Sequence, residues 1–158
     1  MGDTLDISIV FNEQVNVIGV PQLSLETGST DALVNYLSGS TTTTLIFRYI
    51  IASGHVNTDL GYVSTTALGL NNGSIRDAAG NSAVLTLPVP GASNSLSSNM
   101  ELNVEGVLPT IPSGVIATPG DEQIRLDWTA NTAQDLASYK IYGGTSSNPT
   151  TLLATITT

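Results

Sequence analysis

At 158 residues the chain has room for one domain or two small ones, and either is long enough to bury a core. It has no cysteine, so no disulfide staples it, although export is not excluded on that ground. Four Lys and Arg stand against thirteen Asp and Glu, a formal charge of −9 that repels phosphate backbones and anionic lipid. Nucleic acid and membrane surfaces are therefore not expected as partners.

Only 11% of the residues are charged, and Thr, Ser, Asn and Gly fill much of the remaining polar surface. That balance suits a soluble secreted protein and leaves spare carboxylates for Ca²⁺. No apolar run approaches the ~18 residues that would span a bilayer. Met1-Gly2 runs directly into strand-like sequence with no signal pattern before it, so the chain reads as a piece of a longer protein and, if that protein is exported, its signal is expected outside this piece.

Period-two alternation begins at once. Leu5, Ile7, Ile9 and Phe11 share one face, with Asp6, Ser8 and Asn12 on the other. Asn12-Glu13-Gln14 predicts a break, after which Val15 and Val17 resume the alternation. A third run follows Pro21 through Leu23 and Leu25, and a fourth carries Ala32, Val34 and Tyr36. Leu45, Phe47, Tyr49 and Ile51 give the strongest strand in the chain. A loop over 52–59 holds the one histidine, His55, which reads as solvent-exposed. A short strand-like piece over 60–70, Ile75, the run Val84, Leu85 and Leu87, and a last strand of Met100, Leu102 and Val104 complete the segment. Pro88 to Ser98 is polar and irregular, and no stretch holds helical periodicity over three turns. Seven or more short strands in about 100 residues predict an all-β sandwich.

The ordered set Gly2-Asp-Thr-Leu-Asp-Ile-Ser-Ile-Val-Phe-Asn-Glu-Gln-Val15, Gly19-Val-Pro-Gln-Leu-Ser-Leu25, Thr44-Leu-Ile-Phe-Arg-Tyr49 and Ile75-Arg-Asp-Ala-Ala-Gly-Asn81 resembles one repeat of the immunoglobulin-like or cadherin-like arrays of large bacterial surface proteins and adhesins. The resemblance covers nearly all of residues 1–106. It implies an immunoglobulin-like β-sandwich. One departure is Asp59-Leu-Gly-Tyr62, where related repeats more often carry a second acid at the position of Gly61, and this weakens the Ca²⁺ reading drawn from the family.

Residues 107–114 form a joint with Pro109 and Pro112 three apart. Proline fixes its own φ and pushes the preceding residue toward extended geometry, so the joint is expected to be extended and stiff. Beyond it, Val115, Ile116 and Ala117 make a short strand and Pro119-Gly-Asp-Glu122 a turn. Ile124, Leu126 and Trp128 alternate inward, Asn131 to Asp135 is a loop, Leu136 an apolar plug, and Tyr139 with Ile141 and then Leu152, Leu153 and Ile156 supply further strands. The order Pro112-Ser-Gly-Val115, Ile124-Arg-Leu-Asp-Trp-Thr129 and Asp135-Leu-Ala-Ser-Tyr-Lys-Ile-Tyr-Gly-Gly-Thr145 is similar to the first half of a fibronectin type III domain. Residues 115–158 are thus expected to form an incomplete sandwich of that class, since a whole one needs about 100 residues and seven strands. Truncation accounts for this more simply than strands donated by another chain.

Asp77-Ala-Ala-Gly-Asn81 is the most conspicuous polar cluster. Asp77, Asn81 and Asp59 would offer oxygen ligands to Ca²⁺, which takes six to eight. As a turn, Asp77 would accept backbone N–H groups and Gly80 take a positive φ, and the turn is the weightier reading. Asp3, Asp6 and Glu13 would join a Ca²⁺ site with a preceding repeat, or be ordinary solvent-facing acids. Tyr36, Tyr49 and Tyr139 fall in phase with core positions, which leaves Tyr62 and Tyr142 for stacking on sugars. No phosphate loop, nucleophile elbow, Cys/His metal set or facing carboxylate pair marks a catalytic site, and none is assigned. A non-enzymatic spacer of a cell-surface protein is expected, with neighbouring domains of the same polypeptide as its partners. The alternatives are an accessory module of a secreted polysaccharide-degrading enzyme that binds surface glycans, and a fibre subunit completed by strand exchange with a like subunit.

Overall fold

The computed structural model describes residues 2–133 and 136–157. Asp135, which begins the last motif quoted above and ends the loop read over 131–135, lies outside the described residues, as does Met1 of the expected start. The chain is nearly all β and divides into two compact units, Met1–Val107 and Leu108–Thr158.

The first unit contains β1 (Thr4–Ile18), β2 (Gln22–Glu26), β3 (Ala32–Ser38), β4 (Thr42–Ile50), β5 (Val56–Asn57), β6 (Gly61–Tyr62), β7 (Leu68–Gly69) and β8 (Ser74–Arg76). One turn of helix, α1 (Leu96–Asn99), and β9 (Val104–Glu105) complete it. Seven of these strands form a curled antiparallel sheet in the order β6-β2-β3-β4-β1-β8, with β7 also beside β2, while β5 pairs with β9. The curl comes from strands that change partners. Residues 32–35 of β3 pair with β2, whereas Tyr36 and Ser38 pair with Phe47 and Ile46 of β4. Strands that pass from one neighbour to another in this way turn the corner of a sandwich.

β1 makes the second corner. Its residues 4–10 pair with β4, and residues 16–18 pair with β8. The break expected at Asn12-Glu13-Gln14 does not occur: the strand is continuous, and the register slips between Val10 and Val15, which sit opposite Thr44 and Thr42. The strand runs on through the triplet because none of the three is Gly or Pro; all three are exposed, and Val15 and Val17 turn inward again beyond them. Val15 C=O accepts from Thr41 N–H at 2.8 Å, and Val17 N–H donates to Ser40 Oγ at 2.9 Å.

The predicted alternations supply the core. Leu23 and Leu25 of β2, Val34 of β3, and Leu45, Phe47 and Tyr49 of β4 are all buried, and Ile7, Val15, Leu60, Ile75 and Val104 close around them. Each such side chain contributes about 1.5–3 kcal/mol when fully withdrawn from water. Phe47 meets Tyr36 edge to face with ring centroids 6.1 Å apart. Two expected strands are reduced. Ala83, Leu85 and Leu87 turn inward with Val84 and Thr86 exposed, but apart from a single Arg76–Ser82 bridge this stretch joins no ladder. Of the run from Met100 to Val104, Val104 alone enters a strand, with Glu105. The irregular stretch before it contains α1, which Ser95 caps by accepting Ser98 N–H on its Oγ at 3.3 Å.

The second unit is two hairpins: β10 (Ser113–Gly120) with β11 (Gln123–Thr129), and β12 (Ser138–Gly143) with β13 (Thr151–Thr157). β10 runs through Pro119, which pairs with Ile124, so the turn is confined to Asp121 and Glu122, tighter than expected from Pro119-Gly-Asp-Glu122. Proline is tolerated there because β10 is an edge strand. No described residue of this unit is buried. Trp128 and Tyr139 meet edge to face, centroids 5.3 Å apart and planes at 61°, and carry the contact between hairpins.

Candidate functional site

Turn geometry engages the Asp77 carboxylate. One carboxylate oxygen accepts Asn81 N–H at 2.8 Å and the other accepts the Asn81 side-chain amide at 2.7 Å. Asp77 N–H donates to Asn81 C=O at 3.0 Å, Gly80 takes φ +89°, and Arg76 donates to Gly80 C=O at 2.7 Å. The Asn81 amide, followed by its main-chain N–H, holds the Asp77 pKa below the ordinary carboxylate range. This is a closed Asx-type hairpin, with both carboxylate oxygens already accepting.

Asp6 is likewise engaged. It stands directly across from Arg48 in the β1–β4 register and receives Nε and Nη2 in a bidentate pair, both at 2.7 Å. The hydrogen bond from Arg48 lowers the Asp6 pKa. Asp3 and Glu13 are exposed, and Asp59 is exposed with its N–H on Asn57 Oδ1 at 2.9 Å. Among the described residues no three His, Asp or Glu side chains gather closely enough to hold a metal ion, so Asp3, Glu13, Asp59 and Asp77 are not brought into such a group.

His55 departs from its expected solvent exposure. Its Nδ1 lies 2.8 Å from the hydroxyl of buried Tyr49 and accepts Ala52 N–H at 3.3 Å, and the two rings stack with planes 16° apart. A main-chain N–H can only donate, so Nδ1 is the acceptor in the contact with Ala52. His55 thus ties the loop to the core instead of facing water. No sequence signal marks the pair, since it depends on how the loop folds back over β4.

Tyr62 is the other correction. It is 7% exposed, belongs to the core, and donates its hydroxyl to Pro88 C=O at 2.7 Å, so it cannot stack on a sugar. Burial raises its pKa. Its strand is only two residues long, too short for alternation to reveal the inward face. Of the two tyrosines expected to be free, Tyr142 alone is exposed.

Gly106, just before the joint, and Thr110, within it, are each held inside their own unit. Gly106 is buried; its N–H donates to His55 C=O at 2.6 Å and its C=O accepts Gly54 N–H at 2.9 Å. A Cβ on residue 106 would run into the Ala52 carbonyl, so only glycine fits. Within the second unit, the Asn131 side-chain amide donates to Thr110 C=O at 2.6 Å, and Asn131 N–H donates to the Tyr139 hydroxyl at 2.6 Å. Beyond Thr110, Val115, Leu126, Trp128, Leu136, Tyr139 and Ile141 line an apolar groove of about 450 Å³.

No helix among the described residues is long and apolar enough to cross a membrane. Comparison with protein-family models, curated proteins and solved structures finds nothing that matches this chain.

Proposed function

We propose that the chain is a non-enzymatic structural module of a large secreted or cell-surface bacterial protein of the adhesin kind, spacing or projecting other domains of the same polypeptide. On this reading the first unit is an immunoglobulin-like or cadherin-like repeat and the second is part of a fibronectin type III domain. The observation that carries it is the anchored joint. The chain leaves the first unit through a glycine locked between two backbone partners, and Thr110 is already held by Asn131, so only residues 107–109 lie between the clamps. The paired charges are structural as well: Asp6 and Arg48 serve each other, Asp77 closes its own turn, and Arg125 lies 2.7 Å from Asp127 of the same strand.

Small-angle scattering tests the spacer reading. With Pro109 and Pro112 both replaced by Gly, both units stay folded and the distribution of inter-unit distances widens. An unchanged distribution would sink proline stiffness as the spacing device.

The groove at Trp128 favours a second reading, a fibre subunit whose second unit is completed by strands of a neighbouring chain. Strand exchange of that kind predicts a mass that grows with concentration in size-exclusion chromatography. A monomer at every concentration excludes it.

A further inference from the structure

We propose that the first unit carries a strand-addition site: the open edge of β1 over residues 7–11, with the cleft beside it, takes an uncharged extended peptide segment from another polypeptide. β1 pairs with β4 along residues 4–10 and reaches β8 only at residues 16–18. Among the described residues, the second edge of residues 7–11 therefore has no ladder partner. An unpaired edge presents alternating N–H and C=O groups that accept a further strand.

Beside that edge lies a cleft of about 400 Å³. Residues 7–11 line it together with Val84, Thr86, Leu87 and Pro88, a stretch whose alternating burial is that of extended chain without a ladder, and with Asn94, Leu96 and Asn99 in and just before α1. The buried core residues Leu23, Tyr62 and Leu68 make the floor. No charged side chain lines the cleft, in a chain of net charge −9. A charged strand entering it would lose hydration and find no counter-ion, whereas a strand of apolar and hydroxyl residues would lose little.

The pleat sets the sequence pattern. Ile7 and Ile9 turn inward while Ser8 and Val10 face out, so the occupant must alternate apolar residues inward with small polar residues outward. Five residues of β1 span about 17 Å, which sets the length of the segment. A compact apolar molecule would fill the volume but leave the β1 backbone unpaired, which is why a peptide is the better occupant. The site lies wholly in the first unit and does not depend on the spacer reading.

The test uses the full chain and a fluorescent, capped peptide, Thr-Ile-Ser-Leu-Thr-Val-Ser, beside a version with Glu at the inward Ile, Leu and Val positions. Saturable binding of the first peptide is expected, with amide shifts and slowed hydrogen exchange at residues 7–11. Val84→Lys and Thr86→Lys, both at exposed positions, should each weaken binding about tenfold or more while leaving the melting midpoint in place. The proposal is overturned if the peptide does not bind, or if the Glu version binds equally well. It also falls if the amide changes are confined to residues 113–157, which would place binding at the Trp128 groove. Capture of a naphthalene dye in the cleft without peptide binding would assign a small-molecule pocket instead.

Discussion

Phe47 and Trp128 occupy comparable local settings with different outcomes. Each lies on an alternating strand and meets a tyrosine edge to face, Phe47 with Tyr36 and Trp128 with Tyr139. Phe47 has no exposed surface and belongs to one buried cluster that also holds Leu23 and Leu25 of β2, Leu60 and Ile75. Trp128 is half-buried and lines an open groove. Alternation and an aromatic contact suffice to set a strand's inward face. Burial needs a second layer, which the first unit builds by passing β1 and β3 between partners and which the two hairpins of the second unit do not supply.

Substitution at these two aromatics should break the comparison most sharply. Phe47→Ala removes a fully buried ring and should cost the first unit about 3–5 kcal/mol in denaturant unfolding followed by circular dichroism. Trp128→Ala should leave that transition where it is. As the chain's one tryptophan, Trp128 also reports on the second unit, and its emission should already be red-shifted before denaturant is added. Equal losses from the two substitutions would show that the units share a core.

Gly106→Ala comes next. The added methyl meets the Ala52 carbonyl and strains the hydrogen bonds to His55 and Gly54, so the first unit should lose about 1–3 kcal/mol. An unchanged unfolding midpoint would mean that the exit from the first unit is not locked.

Much of the first unit was legible in sequence, because β2 and β4 are regular and half their residues face the core: Leu23, Leu25, Leu45, Phe47 and Tyr49 all fall where alternation puts them. In sequence β1 reads as two strands because a polar triplet resembles a loop, and only pairing across to β4 distinguishes a bulge from a break. Tyr62 and His55 were misplaced for a related reason. Their burial is decided by segments far along the chain or by a loop folding back, and no local period encodes either. The Asp77 turn was legible because all its partners lie within four residues.

The smallest effect concerns that turn. The depressed Asp77 pKa means that folding favours the ionised carboxylate, so its contribution is present above the unfolded value of ~3.9 and is lost as pH falls through the lower folded value. Melting midpoints measured from ~pH 5 downward should fall less steeply for Asp77→Asn than for the parent chain, with the remaining slope including Asp6. Parallel slopes would show that the turn's hydrogen bonds do not favour the ionised form.

Residue-resolved hydrogen exchange on the intact chain tests most directly the contrast between a closed core and an open one. Ladder amides of β4 around Leu45, Phe47 and Tyr49 should exchange only through global unfolding of the first unit, while those of β10–β13 exchange through local opening at far lower free energy. Protection in β11 and β12 equal to that in β4 would contradict the account, because it would require a buried core around Trp128.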